Sequence, residues 1–188
     1  ASSIEQIIKE KGKEVNGSMF GFSCPKISKV RIGIIGLGNR GSVLLEMFQH
    51  LVENNMAEII AISDIIEKKV RESADKLSKW QSKKPSLYFK SDKDWKKLVE
   101  RDDIDLVIIA TPWDMHAPMS IYSMENGKHV ACEVPISCSI EECWKIIQTA
   151  EKTRRHCMMM ENCNYNEEEL WVLNMIDKGI FGDITHAE

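Results

Sequence analysis

The chain has 188 residues and a formal net charge of −4 at pH 7, from 25 basic and 29 acidic side chains. A hydrophobic fraction of 43% is sufficient for a packed core and too high for a disordered chain. Because the chain has no excess of basic residues to bind a phosphate backbone, we expect no nucleic-acid partner. No apolar run approaches the length of a transmembrane helix, so we expect no membrane insertion either.

The first 28 residues form a charged leader. Ile4, Ile7 and Ile8 recur at helical spacing and predict a short amphipathic helix, and residues 17–29 indicate a linker lying across the domain that follows. The chain begins with Ala1 and carries no signal-peptide pattern. Since a signal could have been removed, an exported and a cytoplasmic protein are both compatible with this start.

From residue 30 onward, short apolar runs alternate with segments of helical periodicity. The apolar runs predict six strands, at residues 30–35, 59–62, 87–89, 106–110, 129–132 and 157–160. The first two helices are expected to bury one face made of Val43, Leu44, Met47, Phe48 and Leu51 and another made of Val70, Ala74, Leu77 and Trp80. The fully apolar fourth run predicts a central strand, and residues 184–188 predict the opening of one more strand.

Local signals mark the ends of the later helices. Ser139 and Glu142 form a capping box for a helix that runs to about Thr153. Gly127 occupies the usual position after the end of the preceding helix. A last helix begins after Asn166 and ends at Gly179. Strands and helices that alternate with short connections imply right-handed crossovers and a parallel sheet.

The sharpest motif is Gly36-Leu37-Gly38-Asn39-Arg40-Gly41, which follows the first strand and opens the first helix. In this context Gly36 permits the tight turn, Gly38 lets the backbone approach a pyrophosphate, and Gly41 lets the helix pack on the strand. The helix N-terminus adds N–H donors and partial positive charge. The motif therefore favours a dinucleotide site over a glycine-rich turn without a ligand.

Asp64 follows the second strand, where a carboxylate accepts hydrogen bonds from the adenosine ribose. The same carboxylate would repel a 2′-phosphate, and the next residues, Ile65 and Ile66, include no arginine to bind one. We therefore predict NAD rather than NADP as the cofactor, although a helix-capping role for Asp64 is also compatible with this position.

Three further loops follow strands on the side where open α/β sheets bind their ligands. The loop after the fourth strand, placed to cover the cofactor, consists of Thr111, Pro112, Trp113, Asp114, Met115 and His116. Glu133-Val134-Pro135 follows the fifth strand, and Asn162 and Tyr165 follow the sixth. We expect these side chains to converge on one crevice, although each alone is also typical of a cap or a turn.

These patterns predict an α/β fold, with a doubly wound parallel Rossmann sheet at residues 29–160. Residues 1–28 are the leader, and residues 161–188 are the beginning of a second α/β domain that the chain does not complete. The six cysteines form no C-x-x-C pair, so we expect no metal site and reduced, mostly buried thiols.

The glycine motif, Thr111-Pro112 and Glu133-Val134-Pro135 together resemble the Gfo/Idh/MocA oxidoreductase family. From Thr111 to Glu188 the chain is similar, more specifically, to glycoside hydrolase family 109, the NAD-dependent α-N-acetylgalactosaminidases. The similar segments are TPWDMHAPMSIYSMENGKHVACEVP, ECWKIIQTAEKTRRHCMMMENCNY and EELWVLNMIDKGIFGDITHAE. The resemblance covers the chain from about Val30 and implies NAD as cofactor and a sugar or glycan as substrate.

The resemblance also implies a reaction. Sugar dehydrogenases of the wider family carry Glu-Lys-Pro after the fifth strand, and the lysine handles the proton of the substrate hydroxyl. Val134 takes that position here and cannot titrate, which favours the glycosidase branch. In that branch NAD oxidises the sugar C3 hydroxyl to a ketone, which acidifies the C2 proton. The glycosidic oxygen leaves by elimination, water adds, and the hydride returns to C3.

Roles for individual residues follow from the same resemblance. Asn39 and Arg40 would contact the cofactor phosphates through their loop, and Asp64 would hold the ribose. The rest of the NAD site would be lined by Trp113, Asp114, Met115, His116, Glu133, Val134 and Asn162. Tyr165 is the catalytic candidate, because it would approach both the nicotinamide and the substrate.

Three functional hypotheses remain open at this point. The first is an NAD-dependent glycosidase acting on terminal α-N-acetylgalactosamine, and the second is an NAD-dependent sugar dehydrogenase with a base other than Val134. The third is a non-catalytic NAD-binding or assembly domain. By the resemblance, the family's substrate-contacting motif lies beyond Glu188. We therefore expect the 188 residues alone to be inactive and the full-length protein to be a homo-oligomer.

Overall fold

A computed structural model describes residues 18–186 of the chain. Six parallel strands form one sheet. The strands are β1 (Val30–Ile35), β2 (Ala57–Ser63), β3 (Ser86–Tyr88), β4 (Leu106–Ile109), β5 (His129–Glu133) and β6 (Cys157–Met160). The helices are α1 (Asn39–Met47), α2 (Gln49–Glu53), α3 (Glu67–Leu77), α4 (Asp94–Val99), α5 (His116–Glu125), α6 (Ile140–Thr153) and α7 (Glu167–Asp177).

The strand order is β3-β2-β1-β4-β5-β6, and every pair is parallel. This is the doubly wound order of a Rossmann sheet, in which the direction of winding reverses between β1 and β4. The predicted fold class and the central position of the fourth strand are both confirmed. The reversal opens a crevice at the carboxyl ends of β1 and β4, because the connections leaving these two strands run in opposite directions.

Two apolar clusters form the core, and the alternation of side chains along the strands separates them. Val107 and Ile109 belong to one cluster, whereas Ile108 between them belongs to the other. The first cluster includes residues of α4, α5 and α6, and the second includes residues of α1 and α3. The sheet is therefore covered by helices on both faces, which explains why its central strands are apolar throughout.

The buried face of the first helix differs from the prediction. Leu44 and Leu45 are buried, whereas Val43 and Met47 are 43% and 62% exposed. Helix α1 also ends at Met47, and a separate short helix, α2, follows. The close approach of Gly41 to the backbone of the glycine loop sets the rotation of the helix, so the row that follows Gly41 at spacings of three and four residues is buried.

The boundaries of two other elements, the end of α3 and the strand expected near the end of the chain, differ from the sequence-based predictions. Trp80 packs against the second cluster but lies beyond Leu77, the last residue of α3. No strand is present at residues 184–186, so the predicted opening of a further strand is wrong for these positions.

The leader helix predicted around Ile4 and Ile8 lies outside the described residues. Residues 18–29 contain no helix or strand, and Arg154, at the end of α6, donates to the carbonyl of Ser18.

The predicted caps of α6 and α5 are confirmed. The hydroxyl of Ser139 accepts a hydrogen bond from the Glu142 N–H at 3.2 Å, and the Glu142 carboxylate accepts one from the Cys138 N–H at 2.9 Å. Gly127 has a φ of +77°, the left-handed conformation that a residue following a helix often adopts. These local contacts fix the direction in which each helix leaves its loop.

All six cysteines are free thiols, but the expectation that most are buried is wrong. Cys138, Cys143 and Cys163 are exposed, and only Cys132 is fully buried. Burial raises the pKa of Cys132 and of Cys157 to about 12, which keeps both thiols protonated at neutral pH. Within residues 18–186, no three metal-ligating side chains cluster together, and no helix has the length and apolarity to cross a membrane.

Candidate cofactor-binding site

A cleft of about 520 Å³ lies at the carboxyl ends of β1, β2 and β4. Eight of the predicted site residues line it: Gly36, Gly38, Asn39, Arg40, Asp64, Thr111, Pro112 and Met115. This edge of the sheet is where the strand order reverses, and open α/β sheets bind ligands at such a point. The sheet therefore brings these eight residues together, although they are up to 79 positions apart in the chain.

The three glycines of the loop between β1 and α1 have distinct surroundings. Gly36 has a φ of +90°, and a Cβ there would lie 2.4 Å from the carbonyl oxygen of Ala110. A Cβ on Gly41 would lie 2.0 Å from the Gly36 oxygen, so this glycine allows the helix to pack on its own loop. A Cβ on Gly38 would meet no atom closer than the Lys69 Nζ, at 3.7 Å. The open side of Gly38 faces the cleft.

The N-terminus of α1 is available to an anion. Gly38 is its N-cap, no side chain caps it, and its first turn contains no acidic residue. The first N–H groups of a helix have no partner within the helix and carry partial positive charge. Together with the open side of Gly38, these donors form the kind of cradle in which a pyrophosphate binds.

Asp64 holds the glycine loop and the start of the next segment together. Its Oδ2 accepts a hydrogen bond from the Leu37 N–H at 2.7 Å, and its Oδ1 accepts one from the Ile66 N–H at 2.9 Å. Each carboxylate oxygen has two lone pairs, so both atoms retain capacity for a further donor such as a ribose hydroxyl. The carboxylate also lines the cleft, which is the position that the sequence predicted for it.

The loop after β4 contributes only part of its side chains to the cleft. Thr111, Pro112 and Met115 line it, whereas Trp113 and Asp114 are exposed to solvent. Trp113 and Asp114 lie in a single 3₁₀ turn that leads into α5. A role for these two residues in holding the cofactor stays a prediction.

His116 is 1% exposed and lies beneath the cleft rather than in it. Its Nε2 is 2.8 Å from the carbonyl oxygen of Thr111, and its Nδ1 is 2.7 Å from the carbonyl oxygen of Pro135. The imidazole thus connects the loop after β4 with the loop after β5. This geometry favours a role in positioning the two loops over direct contact with a ligand.

Glu133 and Arg40 connect the two halves of the sheet. The Arg40 Nε donates to the Glu133 Oε1 at 2.5 Å, and the glutamate side chain is largely buried. Glu133 ends β5 and Arg40 lies in the first turn of α1, so this ion pair joins the start of α1 to the carboxyl end of β5. Val134, the next residue, is joined to Pro135 by a cis peptide bond.

Asn162 and Tyr165 lie in the loop between β6 and α7, and both are exposed. Neither lines the cleft, so the structure does not bring them together with the glycine loop. The predicted roles of Asn162 at the cofactor and of Tyr165 in catalysis therefore stay predictions.

The cleft also contains residues that the sequence motifs did not indicate. They include Ser63, Ile65, Ile66, Lys69, Ser91, Asp92, Trp95 and Met119. Ser91, Asp92 and Trp95 follow β3, a strand of only three residues, and no family motif marks this loop. Lys69 lies only five residues after Asp64. This closeness to the end of β2 is the one sequence signal that could have placed Lys69 at the cleft.

The fold and the cleft together define a dinucleotide-binding Rossmann domain. The residues at this loop fit the diphosphate of a dinucleotide. The space beside Gly38 is one that a Cβ would fill, and the N–H groups at the start of α1 have no capping side chain. The model of the oxidoreductase family with an NAD-binding Rossmann fold, Gfo/Idh/MocA, matches residues 30–161. The chain belongs to the Gfo/Idh/MocA oxidoreductase family, and the prediction of NAD as cofactor is confirmed at the level of this family.

Curated relatives confirm the more specific resemblance. The α-N-acetylgalactosaminidase of Shewanella oneidensis is 47% identical over 171 residues, which are 91% of this chain and 37% of that protein. A glycosyl hydrolase family 109 protein of Shewanella sp. strain ANA-3 is 45% identical over 174 residues, 93% of this chain and 37% of its own length. The chain thus spans little more than a third of the length of these relatives.

Solved structures agree on the fold. A scyllo-inositol dehydrogenase from Lactobacillus casei, solved with NAD(H) and scyllo-inositol, superposes with a TM-score of 0.71 at 22% identity. The match covers 84% of this chain and 43% of that one. At this identity the likeness establishes the Rossmann architecture alone.

Proposed function

We propose that the whole protein is an NAD-dependent glycosidase that releases terminal α-N-acetylgalactosamine, and that this chain supplies its NAD domain. The observation that carries the proposal is Val134 directly after β5, where the sugar dehydrogenases resembled above carry lysine. A valine has no titratable group and cannot take the proton of a sugar hydroxyl. The 47% identity to an α-N-acetylgalactosaminidase over nine-tenths of the chain supports the same reaction.

When bound, NAD supplies a reversible hydride acceptor for the C3 hydroxyl of the sugar. A ketone at C3 acidifies the C2 proton, so the glycosidic oxygen can leave by elimination before water adds and C3 is reduced again. Such a cycle hydrolyses the bond without net oxidation, unlike the paired-carboxylate mechanism of most glycosidases. The domain needs only to bind and orient one cofactor, which stays in place through the cycle.

Several residues of this chain would bind and orient the cofactor. Gly38 and the first turn of α1 would hold the pyrophosphate, and Asp64 would hold the ribose. The Arg40–Glu133 ion pair and His116 would fix the loops on either side of the nicotinamide. We assign Tyr165 to the substrate side, because it follows the last strand at the same edge of the sheet.

We assign residues 161–188 to the beginning of the substrate domain. Helix α7 buries none of its residues within the described part of the chain. Its exposed apolar side chains are Leu170, Trp171, Val172, Leu173 and Ile176. An apolar surface of this kind is typical of a helix that packs against another element.

The test uses the full-length protein with an aryl α-N-acetylgalactosaminide. We expect release of the aryl alcohol without accumulation of NADH, and loss of activity when NAD is removed and rescue when it is restored. Accumulation of NADH with free sugars as substrates would instead identify a dehydrogenase. Binding of NAD without either activity would identify a non-catalytic domain.

A further inference from the structure

A lysine that no sequence motif indicated reaches the mouth of the glycine loop. Lys69 lies in the first turn of α3, directly after the loop that follows Asp64. Its Nζ is the nearest atom to the position that a Cβ on Gly38 would take, at 3.7 Å, and the residue lines the cleft. The ammonium group therefore lies beside the one face of the glycine loop that is open to a ligand.

The neighbouring basic residues of α3 are already paired. Arg71 donates to Glu67 at 2.5 Å, and Lys68 lies 3.8 Å from Glu72. Within residues 18–186, the side chain of Lys69 forms no ion pair or hydrogen bond, and only its backbone N–H donates, to the carbonyl of Ile66. The three side chains share one helix, but only Lys69 turns toward the cleft and keeps its charge unpaired.

None of the other charged side chains that line the cleft forms an ion pair with this cation. Arg40 is paired with Glu133, the two oxygens of Asp64 accept backbone hydrogen bonds, and the Asp92 carboxylate accepts a hydrogen bond from the Ser91 hydroxyl. A half-buried ammonium beside free helix N–H groups is complementary to a phosphate anion. Lysine is a common phosphate ligand, because its compact charge adapts to phosphates in several geometries.

We propose that the Lys69 ammonium binds the diphosphate of the dinucleotide and is a determinant of cofactor affinity. The inference rests on the proposed function only in its assumption that NAD binds in the cleft. The position beside Gly38 favours the diphosphate over a 2′-phosphate, because a 2′-phosphate would lie at the ribose, where the Asp64 carboxylate repels it.

The test compares Lys69→Met with the matched control Lys68→Met in the full-length protein. Both remove one charge from the same turn of α3, but only the first removes a charge from the cleft. Since a charge-assisted hydrogen bond is lost, we expect the dissociation constants of NAD and of ADP to rise about tenfold in Lys69→Met. Binding of adenosine, measured by competition, should be unchanged. Lys68→Met should match the wild type with all three ligands.

Two further measurements make the result decisive. Lys69→Arg should keep most of the affinity, and the salt dependence of NAD binding should be shallower in Lys69→Met than in the wild type. Equal NAD affinity of Lys69→Met and the wild type would overturn the proposal, as would a variant that loses affinity for NADP alone. A wild-type protein that binds neither NAD nor ADP would overturn the cofactor assignment itself.

Discussion

At the scale of single residues, two positions in the glycine loop require glycine for different physical reasons. Gly36 has a positive φ and no room for a Cβ, so the folded backbone requires it. Gly38 has a φ of −69°, which any residue adopts, and space for a Cβ toward the cleft. The first glycine thus serves the fold, and the second keeps space open for the cofactor.

This difference predicts opposite effects of the same substitution. Gly36→Ala should lower the free energy of unfolding by about 2 kcal/mol or more, because the Cβ meets backbone. Gly38→Ala should change it by about 0.5 kcal/mol at most, yet weaken NAD binding at least tenfold, about 1.4 kcal/mol, because the methyl group takes the place of the pyrophosphate. Urea unfolding and calorimetric titration measure the two quantities, and normal NAD affinity in Gly38→Ala would contradict this account.

Asp64 is expected to act on the cofactor and on the loop at once. Asp64→Ala removes an acceptor for the ribose and frees the Leu37 N–H from its partner, so NAD binding should weaken about tenfold to a hundredfold. Calorimetric titration with NAD measures the change, and Asp75→Ala, at an exposed position of α3, is the control. Unchanged affinity in Asp64→Ala would remove this residue from the site.

At the scale of elements, one ion pair joins β1 to the start of β4 at the edge opposite the cleft. The Asp105 carboxylate accepts from the Arg31 Nη2 at 2.6 Å, and from the Arg31 Nε and backbone N–H at 2.9 Å each. These hydrogen bonds from Arg31 hold the pKa of Asp105 below its usual value. The two central strands are thus fixed in register by a side chain as well as by their ladder.

The lowered pKa gives this contact a defined pH dependence. A carboxylate whose pKa is lower in the folded state stabilises the fold above its unfolded pKa, near 4, and loses this contribution as the pH falls through the folded value. Asp105→Asn should therefore cost about 1–2 kcal/mol at pH 7, and the difference from wild type should shrink below pH 4. Urea unfolding from pH 7 to pH 3 tests this, with the exposed Asp177→Asn as control. A difference that does not change with pH would contradict the assignment.

At the scale of the whole molecule, the cleft would supply only the cofactor half of the proposed reaction. The curated relatives are almost three times as long as the matched segment, and α7 leaves its apolar side chains exposed. A glycosidase also needs groups that bind the sugar and move the C2 proton, and Tyr165 is the candidate that the sequence indicated for the substrate side.

We therefore predict that the 188 residues alone bind NAD but release no aryl alcohol from an aryl α-N-acetylgalactosaminide. The reason is that bound cofactor without a positioned sugar has no partner for hydride transfer. Parallel assays of the isolated chain and the full-length protein, with NAD binding confirmed for both, measure the difference. Hydrolysis by the isolated chain at the rate of the full-length protein would show that the domain suffices.

Much of the fold could be predicted from local patterns, because these patterns act over a few residues. Apolar runs bounded by glycine specify buried strands, and the Ser139 cap and Gly127 specify where helices begin and end. The rotation of α1 could not be predicted, because Val43 and Met47 are as apolar as Leu44 and Leu45. The contact of Gly41 with its own loop decides which row is buried.

By itself, the sequence determined the Rossmann sheet, the dinucleotide loop and the carboxylate at the end of β2, since each depends on residues adjacent in the chain. Only the tertiary structure decided which distant groups meet. It paired Arg40 with Glu133, placed His116 between two loops, and turned Lys69 into the cleft while its neighbours paired outside it. These contacts depend on strand order and helix rotation, which are set by packing across the whole sheet rather than by local pattern.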